Sequence, residues 1–256
     1  MYRILSTSKA GMNANQTRLD TIGNNIVNSE TTGYKKVNVG FQNLLSESLN
    51  RQGYRTNDKG ASMGTGVKAS EMFRDNSQGN LMTTELPTDF ALDGPGFFRV
   101  QLANGNVAYT RDGSFKIDGM GRLVDANGNK LELNYVNGRS EDNTSFKRNN
   151  ILVDTAGNVF TKEGDSFTKV AEIPVYTATG DTSFTSVGKN LFMPTDGARL
   201  ERSTETDVRQ GMLEASNVDL TTEMTDLIVA QRAFQLSSKG VTTADQMLEM
   251  INNMRR

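Results

Sequence analysis

Carboxylates are the only side chains here with an obvious route to hydrolysis, because the 256-residue sequence contains no histidine and no cysteine. That absence excludes imidazole bases, thiolate nucleophiles and Cys/His metal sites, and with them the Ser-His-Asp and Cys-His mechanisms. Paired carboxylates or a Ser/Lys arrangement remain. Asp112, Asp118 and Asp125 are the candidates for a glycosidase-like pair. Each stands in a turn context ("RDGS", "IDGM", "DANG"), where aspartate belongs because it bonds its own backbone. "DANGN", Asp125 to Asn129, starts like a calcium loop, but its glycine is misplaced and no glutamate falls where the bidentate ligand is needed. It reads as a hairpin turn. "DGPGFF", Asp93 to Phe98, has the glycines of a phosphate cradle but no following lysine and no helix start, so it reads as a bend feeding a strand. No catalytic residue, metal ligand, cofactor or small-molecule substrate is assigned, and the expectation is a protein that is not an enzyme.

The 28 basic and 30 acidic residues are interspersed, and the net charge of -2 provides no basic field for phosphate backbones. Nucleic acid is therefore not an expected partner. The start, "MYRILSTSKAGMNANQ", lacks the apolar core of a secretory signal, and no run of 18 or more apolar residues is present. The expectation is a chain that stays in the cytosol or leaves by a route without a cleaved leader. A cysteine-free chain is indifferent to redox compartment.

The elements that would have to position any site differ between the ends and the middle. Leu5, Met12, Leu19 and Ile26 fall seven residues apart, with Met1, Ser8, Asn15 and Ile22 on the companion positions. Near the carboxy terminus Leu220, Leu227, Phe234, Val241 and Leu248 repeat at the same spacing, and Glu223, Ala230, Ser237, Ala244 and Ile251 fill the companion row. Both patterns predict long helices with heptad seams. Asn217 or Asp219 is placed to cap the second, its side-chain oxygen accepting an otherwise unsatisfied helix N–H. The seams are weak, since half of the amino-terminal companion positions are small or polar. The two helices are expected to pair as a coiled-coil-like stalk, with both ends largely disordered in the monomer and becoming helical when neighbouring copies supply the missing contacts.

Between about Gly79 and Gly211 the period changes to alternation. "FFRVQL" sets Phe98, Val100 and Leu102 on one face and Phe97, Arg99 and Gln101 on the other. Asn104-Gly105, Asp112-Gly113, Asn127-Gly128 and Asn137-Gly138 are dipeptides of tight hairpin connections. This predicts an antiparallel all-β domain. Residues 37–78 are polar and glycine-containing, with one apolar island, Phe41, Leu44, Leu45 and Leu49, and read as a linker or extended arm with a short helix around that island. The expected class is α+β. Its segments are an amino-terminal helix and signature turn over 1–36, the arm over 37–78, the β domain over 79–211 and the carboxy-terminal helix over 212–256.

Residues 24 to 36, "NNIVNSETTGYKK", form a junction that resembles the amino-terminal signature of the bacterial flagellar axial proteins, the rod and hook group. Asn24, Asn25, Asn28, Thr31, Gly33, Tyr34 and Lys35 fall on the signature positions. "PTDFALDGPGFFRV", "YTRDGSF" and "GRLVDANG" are similar to the group's central motifs. "EASNVDLTTEMTDLIVAQRAFQLSSKGVTTADQML" is similar to its carboxy-terminal signature through Ser216, Asn217, Val218, Gln231, Arg232, Phe234, Asp245, Met247 and Leu248. Val27 departs from the group's usual alanine. The resemblance runs end to end. It implies a non-enzymatic subunit exported through the flagellar type III apparatus without a cleaved signal, which polymerises in the basal body with itself and with other rod and hook proteins. The result would be a hollow helical driveshaft from motor to hook. Length and tail are most like the distal rod, with the proximal-rod paralogue as the alternative within the group. A secreted envelope protein that binds or cuts glycan is the alternative outside it. In the junction, Asn24, Asn25 and Asn28 are expected to close the helix and bond neighbouring subunits, Gly33 to take a left-handed turn, Tyr34 to anchor it, and Lys35 and Lys36 to meet acidic partners.

Overall fold

The computed structural model describes residues 2–48, 62–64, 66–136, 138–140, 143–163, 166–178, 184–195, 197–203 and 205–254. The chain is α+β, with a helix towards each end and antiparallel strands between them. It divides into two compact units, one of Met1–Val27, Val37–Arg74 and Asp219–Arg256, the other of Asn28–Lys36 and Asp75–Val218.

In the first unit, helix α1 (Tyr2–Val27) runs antiparallel to helix α2 (Leu220–Met254). Contacts pass from Asn25 with Glu223, through the Arg18–Asp226 ion pair, to Gly11 beside Ser237 and Ser8 beside Gly240. The row that is buried on α2 is the companion row, Glu223, Ala230 and Ala244. On α1 it is Ala14, Thr21, Ile22 and Asn25. Small side chains let the backbones approach: a Cβ on Gly240 would sit 2.6 Å from Ser8 Oγ, and one on Gly11 3.2 Å from Ser237 Oγ. Of the large seam residues, Leu5, Met12, Leu19, Ile26, Leu227, Phe234, Val241 and Leu248 are half-buried, while Leu220 and Ile251 are exposed.

The short helix expected near Phe41 and Leu44 is replaced by strand. Val37–Asn43 pairs antiparallel with Val67–Arg74, with a register shift at Gly40, and Ser46–Ser48 pairs with Ser62–Gly64. Alternating Val37 and Val39 favour the extended form, and the partner strand supplies the ladder that a four-residue apolar island could not supply as a helix. Leu49 lies outside the described residues.

The second unit is all antiparallel. Its nine-stranded sheet is centred on Phe97–Gln101, which pairs with Val107–Thr110, Lys130–Leu131 and Val175–Ala178. A four-stranded sheet brings Ile151, Val153, Val159 and Ala171 into the same core, and the pairs Phe90–Asp93 with Asp207–Gln210 and Leu81–Thr83 with Met212–Glu214 complete the unit. The alternation in "FFRVQL" holds: Phe98 and Val100 enter the main core with Phe90, Phe115 and Val159. Phe97, on the other face, packs with Tyr109 and Phe192 in a second small core. Gly105 and Gly128 take the positive φ of the expected turns, and Asn137 lies outside the described residues. Asp112-Gly113 is not a hairpin turn. Gly113 is there because Phe90 passes so close that a Cβ would stand 1.5 Å from its carbonyl oxygen.

Asp219 caps α2: its Oδ1 accepts the Thr221 N–H at 2.9 Å and its Oδ2 the Thr222 hydroxyl at 2.9 Å. Those donors, the Thr222 hydroxyl first, hold its carboxyl below the usual carboxylate range. A folded-state value below the unfolded one means that the cap's contribution is complete above the unfolded value and is lost as pH falls through the folded one. Acid titration followed by circular dichroism is expected to show a helix loss in that window. Asp219→Asn, which caps without titrating, lacks that component, and identical curves would contradict the assignment.

Candidate assembly site

The junction after α1 is bonded to distant parts of the same chain. Asn25, buried in the first unit, grips the Val37 peptide from both sides: its Nδ2 donates to Val37 O at 2.9 Å, and its Oδ1 accepts Val37 N–H at 3.0 Å. The same Nδ2 donates to Glu223 Oε2 at 3.1 Å. This amide therefore clamps the chain internally. Asn24 is exposed.

The rest of the junction belongs to the second unit. Asn28 O accepts the Thr31 N–H at 3.2 Å, and its Oδ1 accepts the Thr31 hydroxyl at 3.3 Å, forming a local turn. Gly33 follows with φ 65°, a left-handed conformation that glycine adopts without strain. Its N–H donates to Glu214 O at 2.8 Å, and a Cβ would lie 2.5 Å from Asp112 N. The turn thus rests on the "TRDG" loop. Thr32 adds a hydroxyl bond to Asp112 Oδ1 at 2.9 Å and receives Asn190 Nδ2 on its carbonyl at 2.9 Å. Asn190 and Lys189 both have positive φ, a conformation that costs a non-glycine residue energy and is held by this contact. Half-buried Tyr34 accepts the Asn217 N–H at 3.4 Å.

Lys35 is 2% exposed and Glu214 1% exposed. The Lys35 ammonium donates to Glu214 Oε1 at 2.6 Å and to Ser77 O at 2.7 Å. Arg111, also buried, donates to Glu214 Oε2 at 3.1 Å and to Gly94 O at 2.9 Å, with its guanidinium 5.4 Å from the Phe97 ring centre. Gly79 N–H completes the carboxylate at 2.9 Å. Burial pushes the pKa of Lys35 and Arg111 down and Glu214 pulls both back up, while Arg111 lowers Lys35 further. Beside this cluster, Asn217 Oδ1 accepts the Lys36 N–H at 2.7 Å, and its Nδ2 donates to Asp75 O at 3.0 Å and Ser77 O at 3.1 Å. Three stretches of chain, 33–36, 75–79 and 214–217, are tied together by one carboxylate and one amide.

Of the signature residues, Gly33, Tyr34 and Lys35 converge on this knot, Asn28 and Thr31 shape the turn leading to it, and Asn25 works in the first unit. Sequence reasoning missed Arg111, Glu214, Ser77 and Asn190, weighed Asp112 only as a catalytic or turn residue, and gave Asn217 a capping role and a signature position but no part in the knot. Arg111 and Glu214 lie inside quoted motifs, but their separations of 103 and 179 residues from their partners leave no local periodic trace. The carboxylates weighed for catalysis are occupied by their own loops: Asp125 accepts Asn127 N–H, Asn129 N–H and Asn129 Nδ2, and Asp112 accepts Ser114 N–H and hydroxyl.

The knot lies at the edges of two segments matched by family models. Residues 5–35 match the model described as flagella basal body rod protein, and residues 209–254 the model described as flagellar basal body rod FlgEFG protein C-terminal. Over full length the chain is similar to flagellar basal-body rod protein FlgG of Borreliella burgdorferi, 36% identical over 100% of both chains. FlgG of Agrobacterium fabrum is 34% identical over 98% of both chains, and FlgG of Bacillus subtilis 34% identical over 100% of both. The chain belongs to the flagellar basal-body rod protein FlgG family, a family of structural proteins rather than enzymes. It is a structural subunit of the flagellar basal-body rod, which sets aside the glycan-cleaving alternative.

One carboxylate serving two buried cations makes the cluster asymmetric. Glu214→Gln leaves two buried positive charges uncompensated and is expected to destabilise the protein by ~3–5 kcal/mol, the range for breaking a buried pair. Lys35→Met leaves Glu214 paired with Arg111 and is expected to cost about 1–2 kcal/mol. Urea unfolding of the full-length variants measures both, and equal losses would refute the asymmetry.

Proposed function

We propose that this subunit polymerises with copies of itself and joins other rod and hook proteins to build the distal part of the rod, a hollow driveshaft carrying torque from motor to hook. The observation that carries this reading is the apolar surface of α2. Packing against α1 covers Glu223, Ala230 and Ala244, whereas Met224, Ile228, Leu236, Met250 and Met254 are exposed, Ile228 at 59% and Leu236 at 69%. Large apolar side chains repeated along one helix mark a surface meant for association. In this reading the half-buried heptad residues of both helices complete coiled-coil-like seams with neighbouring copies. The exposed Phe41, Leu45, Met72 and Phe73 of the strand ribbon add to the same association surface, and the β unit serves as a folded body carried by the helices.

We also assign to the chain passage through the flagellar export apparatus without cleavage of a leader. A cysteine-free sequence is compatible with any redox compartment on that route. No helix among the described residues is long and apolar enough to cross a membrane. The relatives' names place them in the flagellar basal body, and that location is carried over here.

A strain without this protein is expected to be non-motile and hookless, with basal bodies truncated within the rod when viewed by electron microscopy; normal hooks would overturn the assignment. Gly33→Val places a β-branched residue at a left-handed φ and drives its Cβ into the Asp112 backbone. It is expected not to restore motility while the purified variant retains its β-sheet signal. Full restoration would show that this turn is not needed for assembly.

A further inference from the structure

We infer that Glu214 and Asn217 are positioning residues for the signature turn, so that residues 33–36 take their assembled conformation only after the last strand of the β unit has docked. Local bonds within the turn include those between Asn28 and Thr31 and from the Tyr34 N–H to Thr31 O. Asp112 and Asn190 hold Thr32, Ser77 O accepts from the Lys35 ammonium, and Lys36 O accepts the Asp75 N–H. The last strand and the residues after it then add a run of bonds to 33–36: Glu214 O for Gly33, Asn217 N–H for Tyr34, Glu214 Oε1 for the Lys35 ammonium, and Asn217 Oδ1 for Lys36 N–H.

The electrostatics make the dependence one-sided. A lysine ammonium 2% exposed is tolerable only with a counter-ion, and the acid that supplies it is 179 residues away. Before that acid arrives, Lys35 is better solvated in water, which keeps the turn undocked. The arriving strand, Met212–Glu214, is itself held by Leu81–Thr83, with Ala215 N–H on Asn80 O. Asn217 then fastens 75–77 to Lys36 in the same step. Closing so long a loop is entropically late relative to the local hairpins of the sheet. Ordering of the turn therefore reports that the chain is complete to Asn217. Where the turn is needed for rod assembly, as proposed above, an incomplete chain presents no ordered signature.

Hydrogen–deuterium exchange on the full-length protein tests this. In the wild type, amides of 33–36 and of 214–217 are expected to open together, below the protection of the central strands Phe97–Gln101 and Val107–Thr110. Asn217→Ala, which leaves the charge cluster intact, is expected to speed exchange at 33–36 by about tenfold or more without changing the central strands. Glu214→Gln is expected to speed exchange at 33–36 to a greater degree. Two results would overturn the inference: unchanged protection at 33–36 in Asn217→Ala, or an equal loss in the central strands, which would make it general unfolding. Motility of the same strains separates the two proposals. A variant that loses protection at 33–36 yet swims normally leaves the latch standing and removes the turn's role in assembly.

Discussion

A single buried carboxylate carries the organisation of the junction. Glu214 accepts from two cations and a backbone N–H in a place that water does not reach, and each donor sits on a different stretch of chain. Such a cluster is weak as a source of net stability, because taking three charges out of water consumes most of what their attraction returns. Its value lies in selection. Lys35, Arg111 and Gly79 can all be satisfied in one register only, and any slip of the strand Met212–Glu214 against Leu81–Thr83 would leave at least one buried charge unmatched. The neighbouring amide of Asn217 works in the same way with neutral groups, using both its acceptor and its donors on three backbone partners.

The helical unit follows the opposite logic. Its internal packing uses small side chains and one buried asparagine–glutamate contact, and leaves much of the large apolar surface of α2 uncovered. A helix pair that buries alanine, glycine and serine gains close approach but little transfer free energy, since that term scales with apolar area removed from water. The β unit, by contrast, buries Phe90, Phe98, Phe115 and Phe146 completely or nearly so. The molecule thus contains a part that buries its large apolar side chains and a part that leaves many of them exposed, a division compatible with the proposed assembly.

How much of this was legible in the sequence depends on the range of the interaction. Features set within a few residues could be read directly. Examples are the alternation of "FFRVQL", the turns at Gly105 and Gly128, the cap at Asp219 and the left-handed Gly33. The heptads marked both helices, but two rows with the same seven-residue period run along each, and period alone does not say which row is covered. On α2 the covered row is the companion one, Glu223, Ala230 and Ala244, and on α1 the buried residues Ala14, Thr21 and Asn25 lie outside both rows. The helix expected near Phe41 failed because a strand later in the chain, Val67–Arg74, pairs with that segment, Phe41 opposite Ala69. Asp112-Gly113 looked like a hairpin dipeptide although its glycine answers to a distant carbonyl, that of Phe90. The charge cluster was the least legible, since nothing near Lys35 announces an acid 179 residues on.

The composition of the junction then follows from its neighbours. Asparagine at position 25 offers a donor and an acceptor on one rigid plane, which is what gripping both sides of the Val37 peptide requires; aspartate or glutamine would lose one function or the geometry. Glycine at 33 is needed twice, for its φ and for the missing Cβ against Asp112. Lysine at 35 must be long enough to reach an acid held by another strand, and charged so that burial without that acid is penalised. Gly33 and Lys35 are therefore answerable to parts of the chain that do not exist until much more of it has been made. This is why the constraints on a stretch that reads locally as a polar helix end cannot be found within it.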